Sequence, residues 1–207
     1  MSSRTDFVHR SKSIDRLFRT KVQQTWTCED CGAVSSKFDT WCGLTVAIQK
    51  KRRPLREQFF PQEDLPGLRC ESKQCAGAAK DRIRKTVITR APEILVLQIL
   101  LFEMNKKFQL VKITSRCLYE ELLDLTDFTS GEVPLRYQLM GVVSHGGSDI
   151  KSGHYVADLR CREPGLFATA NDSTISLRRD SREMLRPSYE PYLLFYQKVG
   201  GKMAKKI

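Results

Sequence analysis

Short apolar runs separated by Gly, Pro, Asn and Asp dominate the second half of the chain. Their content of Val, Tyr, Phe and Leu is typical of β-strands, and the separating residues are typical of turns. Four such runs are RYQLMGVVSH (136–145), HYVADLRC (154–161), LFATAN (166–171) and YLLFYQKV (192–199). The second half is therefore predicted to be mostly antiparallel sheet with little helix.

The rest of the chain shows other patterns. Ile94–Met104 is mostly apolar and follows a proline closely, which favours a buried central strand over a surface helix. The alternating residues 107–113 (KFQLVKI) predict a strand beside it. Ser13–Thr20 predicts a short helix with Ser13 as its N-cap, and Tyr119–Phe128 predicts a short helix or turn. The proline-containing segment Lys51–Gly67 predicts a loop-rich connection.

Composition places the chain among ordinary globular proteins. Its 207 residues fit one large domain or two small ones, with 41% hydrophobic and 29% charged residues. No apolar run is long enough to span a membrane, and the N-terminal residues lack the apolar core of a secretory signal. Seven cysteines without a signal favour metal ligation or free thiols over disulfides, and hence a reducing compartment, the cytoplasm or nucleus.

The net charge of +11 raises nucleic-acid binding as a possible function. The positive residues are densest in Gln49–Arg56 (QKKRRPLR) and in the tail 200–207 (GGKMAKKI). Neither run is interleaved with the aromatic residues on which bases stack. A solvated basic loop and a basic tail are the favoured interpretation, and no membrane or nucleic-acid partner is expected.

Two cysteine pairs have the spacing of a four-thiolate zinc site. Cys28 and Cys31 are separated by two residues, and Cys70 and Cys75 by four. Short loops let both sulfurs of a pair face one ion, and Zn²⁺ prefers a tetrahedral shell of thiolates at about 2.3 Å. Four protein ligands close the shell, so a structural rather than catalytic Zn²⁺ is predicted.

Two alternatives to the zinc site remain open at the level of the residues. The four thiols are unrelated buried side chains in one alternative, and a redox pair in the other, although no βαβ pattern of the thioredoxin type surrounds Cys28 and Cys31. Cys42, Cys117 and Cys161 lack partner spacing and are interpreted as small core residues, the first two in segments that resemble strands.

A predicted hairpin brings His154 close to Asn171. In an extended segment His154 and Asp158 face one side of the sheet, and the turn at Glu163–Gly165 returns the chain so that position 154 pairs near position 173. Asn171 is then a diagonal neighbour, within reach of a histidine side chain. An Asn oxygen that accepts a hydrogen bond from Nδ1–H would leave Nε2 free as a base. Spacing alone equally fits an ordinary strand histidine beside an ordinary turn.

The order of motifs along the chain resembles that of the ubiquitin-specific proteases, a group of papain-like cysteine peptidases. The similarity extends from SIDRLF to FYQK. The motifs are the two cysteine pairs followed by APEILVLQILLF, YQLMGVVSHGG, SGHYVADL, ANDSTI and PYLLFYQ. The resemblance implies an α+β fold with a mostly antiparallel palm sheet that carries the base, and a zinc-ribbon fingers subdomain that grips ubiquitin. It implies the following division: an N-terminal segment (1–20), fingers (21–90), palm (91–199) and a basic tail (200–207).

The resemblance also implies roles for individual residues. His154 is similar to the family's general base, Asn171 to its orienting partner, and Asp172 to an assisting residue. Gly153 resembles the glycine of the family beside which the C-terminal tail of ubiquitin passes, and Tyr155 is placed in the same substrate-binding region. Two loops that resemble the family's blocking loops are Thr129–Leu135 and Gly146–Ser152, the second beginning with Gly146 and Gly147.

Two features depart from the family pattern. The family has a tryptophan shortly before the Asn-Asp pair, where this chain has Leu166 and Phe167. The family's nucleophile lies in a Gly-Asn-Thr-Cys box on a thumb helix that precedes the fingers, and no cysteine of this chain has that context. Without a thiolate an imidazole base has nothing to activate, so the chain alone is expected to be inactive. The helical thumb is expected to be missing.

Three functions are compatible with these features. The chain is part of a thiol-dependent deubiquitinase that hydrolyses the thioester or isopeptide bond after ubiquitin's terminal glycine, with ubiquitin and ubiquitinated proteins as partners. The cysteine box is then supplied by a preceding segment or a partner chain. Alternatively, the chain is a non-catalytic ubiquitin-binding module. The third reading, a basic zinc ribbon that binds nucleic acid, rests only on Lys50–Arg56.

Overall fold

Fourteen strands make up most of the described part of the protein. The structure, a computed structural model, describes residues 13–47, 54–58, 60, 62–113, 117–131, 133–147, 152–185, 187 and 189–200. The strands are β1 (Arg19–Cys28), β2 (Val34–Cys42), β3 (Leu44–Ala47), β4 (Glu63–Arg69), β5 (Ala79–Arg90), β6 (Ile94–Leu100), β7 (Phe102–Met104), β8 (Leu110–Lys112), β9 (Leu122–Asp124), β10 (Arg136–Gly146), β11 (His154–Arg160), β12 (Phe167–Asn171), β13 (Thr174–Arg178) and β14 (Glu190–Lys198).

The strands form three sheets. The first, which we call the fingers sheet, has four strands in the order β2-β1-β5-β4. The second, the palm sheet, has the order β13-β12-β11-β10-β14-β6-β3, and β9 also pairs with β10. The third is the isolated hairpin β7-β8. Every pairing is antiparallel except β3 with β6, so the predicted antiparallel palm is confirmed.

Helices contribute little to the described residues. Helix α1 covers residues 13–18, in agreement with the predicted helix, and ends two residues early because Arg19 and Thr20 already belong to β1. Helix α2 is a single turn, Arg182–Leu185. Two 3-10 helices cover Leu55–Gln58 and Thr126–Phe128. Within the described ranges the helices are all too short to cross a membrane.

The hydrophobic core lies against the centre of the palm sheet. Strand β6 alternates between half-buried and buried residues, and Leu97 is 0% exposed. Leu194 of β14 is equally buried between β6 and β10. Two fully buried tyrosines satisfy their hydroxyls with backbone oxygens: Tyr137 donates to Pro92 (2.8 Å) and Tyr196 to Glu120 (2.7 Å). Burial raises the pKa of both tyrosines, so they stay neutral donors.

The predicted central strand is divided in two. Strand β6 ends at Leu100 and the chain then enters the hairpin of β7 and β8, so residues 107–113 pair with the end of the apolar run and not with β6. Leu101, at the break, is 2% exposed and belongs to the core. Its burial explains why the apolar pattern continues through the break.

Three other predicted elements need correction. Tyr119–Phe128 contains strand β9 before its 3-10 turn, because residues 122–124 extend the pairing of β10. Cys117 lies outside the named strands. The loop-rich Lys51–Gly67 contains most of β4, whose register with β5 shifts between Leu65 and Leu68. An irregularity on an edge strand is where a proline such as Pro66 is tolerated, because no ladder hydrogen bond is lost.

The chain crosses between the two large sheets more than once. Strand β3 lies in the sequence between two fingers strands but pairs with β6 of the palm, from Leu44 opposite Leu97 to Ala47 opposite Leu100. Leu55, which follows it, is 0% exposed and belongs to the palm core. Both sheets are therefore built from interleaved stretches of sequence. Most of the basic run Gln49–Arg56 and all but the first residue of the tail 200–207 lie outside the described residues.

Candidate active site and metal centre

The fingers sheet ends in a cluster of four cysteine thiols. Strand β1 ends at Cys28, and β4 ends at Arg69, just before Cys70. Each pair is held by a tight turn: Gly32 N–H donates to the Cys28 carbonyl (2.9 Å), and Cys75 N–H donates to the Ser72 carbonyl (3.0 Å). Gly32 has a φ of +68°, a conformation that glycine adopts without strain.

The geometry of the four thiols fits one Zn²⁺ ion. All four sulfurs lie within 4.8 Å of one another, and two of the distances between the cysteine pairs are 4.0 Å (Cys28 to Cys75) and 3.7 Å (Cys31 to Cys70). Thiolates at about 2.3 Å from one tetrahedral ion lie about 3.8 Å apart. The sequence-based prediction of a four-cysteine zinc site is thus supported, and the alternative of four unrelated thiols is not.

The protonation of the cluster shows why it needs a cation. The backbone N–H of Ala33 lowers the pKa of Cys31 to about 6. Once Cys31 is a thiolate, its hydrogen bond with the Cys75 thiol, together with burial, raises the pKa of Cys75 to about 12. Four thiolates this close together, three of them buried, therefore cannot coexist unless a positive ion compensates them. Bound Zn²⁺ would supply that charge and cross-link the two turns.

In the palm sheet, a hairpin brings together the two residues predicted from sequence. Strands β11 and β12 pair from Arg160 opposite Phe167 to Ala157 opposite Ala170. The same register, continued, places His154 opposite Ser173 and Asn171 on the diagonal, as predicted. Nε2 of His154 lies 2.6 Å from Oδ1 of Asn171.

The ring of His154 is oriented differently from the prediction. Nε2, and not Nδ1, contacts the Asn171 oxygen, so Nε2 carries the proton and donates. In the neutral ring the lone pair is then on Nδ1, which lies 4.0 Å from a carboxylate oxygen of Asp172. Asp172 begins the turn after β12 with a φ of +50°, and its side chain is 80% exposed. The ring therefore has one nitrogen fixed as N–H by Asn171 and one available to accept a proton.

Glycines on either side of His154 leave room for close backbone approach. Gly146 pairs with His154 across the sheet, and a Cβ there would come within 2.6 Å of the Tyr189 ring. A Cβ on Gly153 would lie 2.0 Å from Nε2 of His145. Any larger residue at either position would displace an aromatic or imidazole ring. Gly147 follows at the strand end, where its carbonyl accepts a hydrogen bond from Lys112.

Tyr155 lies on the opposite face of the sheet from His154. Its ring centroid is 4.8 Å from that of His145, and its side chain is 54% exposed.

Of the two predicted blocking loops, residues 129–131, 133–135, 146, 147 and 152 are described, and residues 132 and 148–151 lie outside the described residues. Ser130 N–H donates to the Ile88 carbonyl (3.3 Å), which joins the first loop to β5.

A cavity of about 200 Å³ opens beside the His154–Asn171 pair. It is lined by Ser144, Val156, Asp158, Thr169, Asn171, Pro187 and Tyr189. The hydroxyl of Ser144 is buried and has no hydrogen-bond partner among the described residues. None of the lining residues is a cysteine. Burial raises the pKa of Cys117 to about 12, which keeps that thiol protonated at neutral pH.

Sequence reasoning missed two neighbours of the site. The Tyr189 ring meets the His154 ring edge-on with centroids 6.2 Å apart, and it lines the cavity. His145 is 5% exposed, packs between Phe102 and Tyr155, and leaves Nδ1 without a hydrogen-bond partner within the described residues. The pairing of β10 with β11 sets His145 opposite Tyr155, on the other face of the sheet from His154, and its ring reaches the site only by packing against the backbone of Gly153.

Comparison with known proteins identifies the family. The ubiquitin carboxyl-terminal hydrolase family profile matches residues 3–196. Ubiquitin carboxyl-terminal hydrolase 2 of Bos taurus is 33% identical over 192 residues, which are 89% of this chain and 31% of the relative. Ubiquitin carboxyl-terminal hydrolase 25 of Arabidopsis thaliana is 30% identical over 202 residues, 92% of this chain and 29% of the relative. The chain belongs to the ubiquitin carboxyl-terminal hydrolase family.

Solved structures agree with this assignment. A SAGA DUB module of Ubp8, Sgf11, Sus1 and Sgf73 bound to monoubiquitin includes a chain that matches with a TM-score of 0.79 and 25% identity. The match covers 89% of this chain and 41% of that one. The same module bound to ubiquitin aldehyde matches with a TM-score of 0.78 and 22% identity, which supports the fold. The chain spans about a third of the length of the curated relatives it matches.

Proposed function

We propose that this chain is the ubiquitin-gripping and base-supplying part of a deubiquitinase. The observation that carries the proposal is the 2.6 Å contact between His154 and Asn171 in a chain of the ubiquitin carboxyl-terminal hydrolase family. The orienting amide leaves one imidazole nitrogen free to take a proton. The glycines Gly146 and Gly153 let the rings of Tyr189 and His145 pack directly against the backbone beside His154, which keeps the surroundings of the base compact.

The proposed reaction needs a thiol that none of the cavity-lining residues provides. His154 takes the proton of a cysteine thiol, and the thiolate attacks the carbonyl carbon of ubiquitin's last glycine. The imidazolium returns the proton to the departing lysine amine, and a thioester remains. Water, deprotonated by His154, then attacks the thioester and releases ubiquitin with a free carboxylate and the thiol. We propose that the thiol comes from another segment of polypeptide.

Titration of labelled ubiquitin tests the binding half of this proposal. We expect micromolar binding to the zinc-loaded chain, seen as NMR shifts on ubiquitin, and weaker binding of ubiquitin that lacks its last two glycines. Leu177→Ser is the surface control, because Leu177 is 64% exposed and lies on the edge strand β13. Unchanged ubiquitin spectra at saturating concentrations of the chain would rule out ubiquitin as the partner.

A fluorogenic ubiquitin substrate tests the catalytic half. The chain alone is expected to give no turnover. Turnover that disappears in His154→Ala would show instead that a thiol of this chain is the nucleophile. A tag at Ile207 captures the native protein together with its bound chains. When the captured protein is treated with ubiquitin that carries a C-terminal electrophile, we expect a covalent adduct between a thiol and this ubiquitin probe.

A non-catalytic ubiquitin-binding module is the second candidate. It is favoured by one observation, the lack of a cysteine among the residues that line the cavity beside His154. Tail-dependent ubiquitin binding without any adduct in the captured native protein would select it. An adduct that is lost in His154→Ala would select the deubiquitinase.

A further inference from the structure

The His154–Asn171 pair lies beyond the last paired residues of strands β11 and β12. The last paired residues of β11 and β12 are Ala157 and Ala170. From there towards His154 the two strands share no further paired residues, and the cavity opens on this side of the sheet. Backbone hydrogen bonds between β11 and β12 therefore do not fix the distance between the two side chains.

A cluster of three polar side chains lies just inside the end of this ladder. Asp158 and Thr169 are cross-strand partners, and the Thr169 hydroxyl donates to Oδ1 of Asp158 at 2.6 Å. Arg178, on β13, donates from Nη2 to the same oxygen at 2.9 Å and from Nη1 to the Thr169 hydroxyl. The Asp158–Thr169–Arg178 cluster thus connects three strands on the face that also carries His154 and Asn171.

Burial makes this cluster different from the surface ion pairs of the protein. The Asp158 side chain is 4% exposed and the Arg178 side chain 15%. A carboxylate in such a place is stable only while its hydrogen-bonding partners stay in position, so the cluster strongly favours one arrangement of the three strands. By contrast, Arg160 at the far end of β11 pairs with Glu121, whose side chain is 43% exposed.

The cluster is next to Asn171 along β12. Thr169 and Asn171 are two residues apart on the same face, and Asp158, Thr169 and Asn171 all line the cavity. Because the cavity occupies the space beside Asn171, tight packing does not define the position of its side chain from that direction. The nearest rigid feature on β12 is the bonded Thr169.

We propose that Asp158 is a positioning residue, which acts with Thr169 and Arg178 to hold β11 and β12 at the separation that lets Asn171 fix one ring nitrogen of His154 as N–H. The role of this device in catalysis rests on the proposed function. The device itself is a property of the folded chain and can be measured without ubiquitin, a nucleophile or turnover.

The test is the long-range ¹H–¹⁵N spectrum of the histidine rings in the zinc-loaded chain. The chain has three histidines, and the two ring-nitrogen shifts of each report its tautomer. Asn171→Ala should move the His154 shifts towards the mixture of tautomers found in free imidazole. Asp158→Asn and Thr169→Val should each move them more than half as far in the same direction.

Matched variants separate positioning from general destabilisation. Arg178→Met should move the His154 shifts, and Arg178→Lys should restore most of the wild-type spectrum because it keeps the positive charge. Glu121→Gln, which removes the more exposed ion pair of Arg160 on β11, should leave His154 unmoved. The buried His145 is the internal control for folding, since its shifts should stay constant in every variant.

The proposal is wrong if the His154 ring in Asp158→Asn or Thr169→Val keeps the same tautomer as in the wild type while the unchanged His145 shifts show that the palm is folded. If Asp158→Asn fails to fold, Thr169→Val decides, because it removes one hydroxyl and keeps the ion pair. A merely structural role would lower the melting temperature and leave the tautomer unchanged. Failure of ubiquitin binding would overturn the proposed function and leave this result untouched.

Discussion

The fingers and the palm hold their candidate sites in different ways. The four-cysteine cluster uses only groups of the chain itself, placed by two tight turns that bring all four sulfurs within 4.8 Å of one another. The palm site is assembled from the ends of strands, lies partly in solvent beside a cavity, and has no cysteine among its lining residues. The cluster supplies a full set of four metal ligands, whereas in the proposed function the palm contributes one part of a reacting site.

The two regions also differ in what stabilises them. The palm sheet is covered by a core of more than a dozen buried side chains that surround Leu97 and Leu194. The buried cluster of the fingers consists of Cys28, Cys70 and Cys75, with Cys31 and Ala33 packed against it. A small core needs a cross-link, and in the fingers a metal ion bound by the four cysteines would be that cross-link.

The largest effect should come from removal of zinc. Structural zinc sites contribute an apparent free energy of about 10–16 kcal/mol, so a strong chelator should unfold the fingers sheet while the palm stays folded. Hydrogen exchange should show loss of protection in β1 and β5 and retention in β10 and β14. Re-added zinc should restore it, and Cys42→Ser, outside the cluster, should bind zinc like the wild type. Equal loss of protection in both sheets would show that the fingers and palm do not unfold independently.

The converse experiment weakens the palm. Leu194→Ala removes a side chain that is 0% exposed at the centre of the palm sheet. The expected cost is about 2–5 kcal/mol of the free energy of unfolding, from lost burial and a residual cavity. Denaturant unfolding measures it, and zinc content by elemental analysis should stay unchanged. The control Leu177→Ala, on a side chain 64% exposed, should change stability by about 0.5 kcal/mol at most.

The smallest effect concerns the pH at which zinc is lost. In the metal-free cluster the Ala33 backbone N–H lowers the pKa of Cys31 from 9.0 to about 6, so Cys31 is a thiolate ready to bind zinc above about pH 6, and protons compete with zinc for it more strongly as the pH falls. Ala33→Pro removes the donor and should move the midpoint of zinc release to higher pH. Ala33→Ser keeps the N–H and should not. Zinc release is followed with a chromophoric chelator, and identical midpoints for the two variants would contradict the assigned cause.

Local sequence patterns determined much of this protein. The strands that begin at Arg136, His154, Phe167 and Glu190 agree with the short apolar runs, because alternation and turn residues act over a few positions. The cysteine spacings determined the four-thiol cluster, since each pair needs only a tight turn to orient its sulfurs. The approach of Asn171 to His154 followed from the length of one hairpin.

Tertiary structure decided the features that depend on which strands become neighbours. Strand β3 joins the palm although it lies between fingers strands in the sequence, and β4 forms through a proline-containing segment because it is an edge strand. The His154 ring nitrogen that meets Asn171 was set by side-chain orientation, which strand periodicity does not specify. Arg178 reaches Asp158 only because β13 folds back beside β12. Such contacts depend on the free energy of the whole sheet, and no short stretch of sequence contains that information.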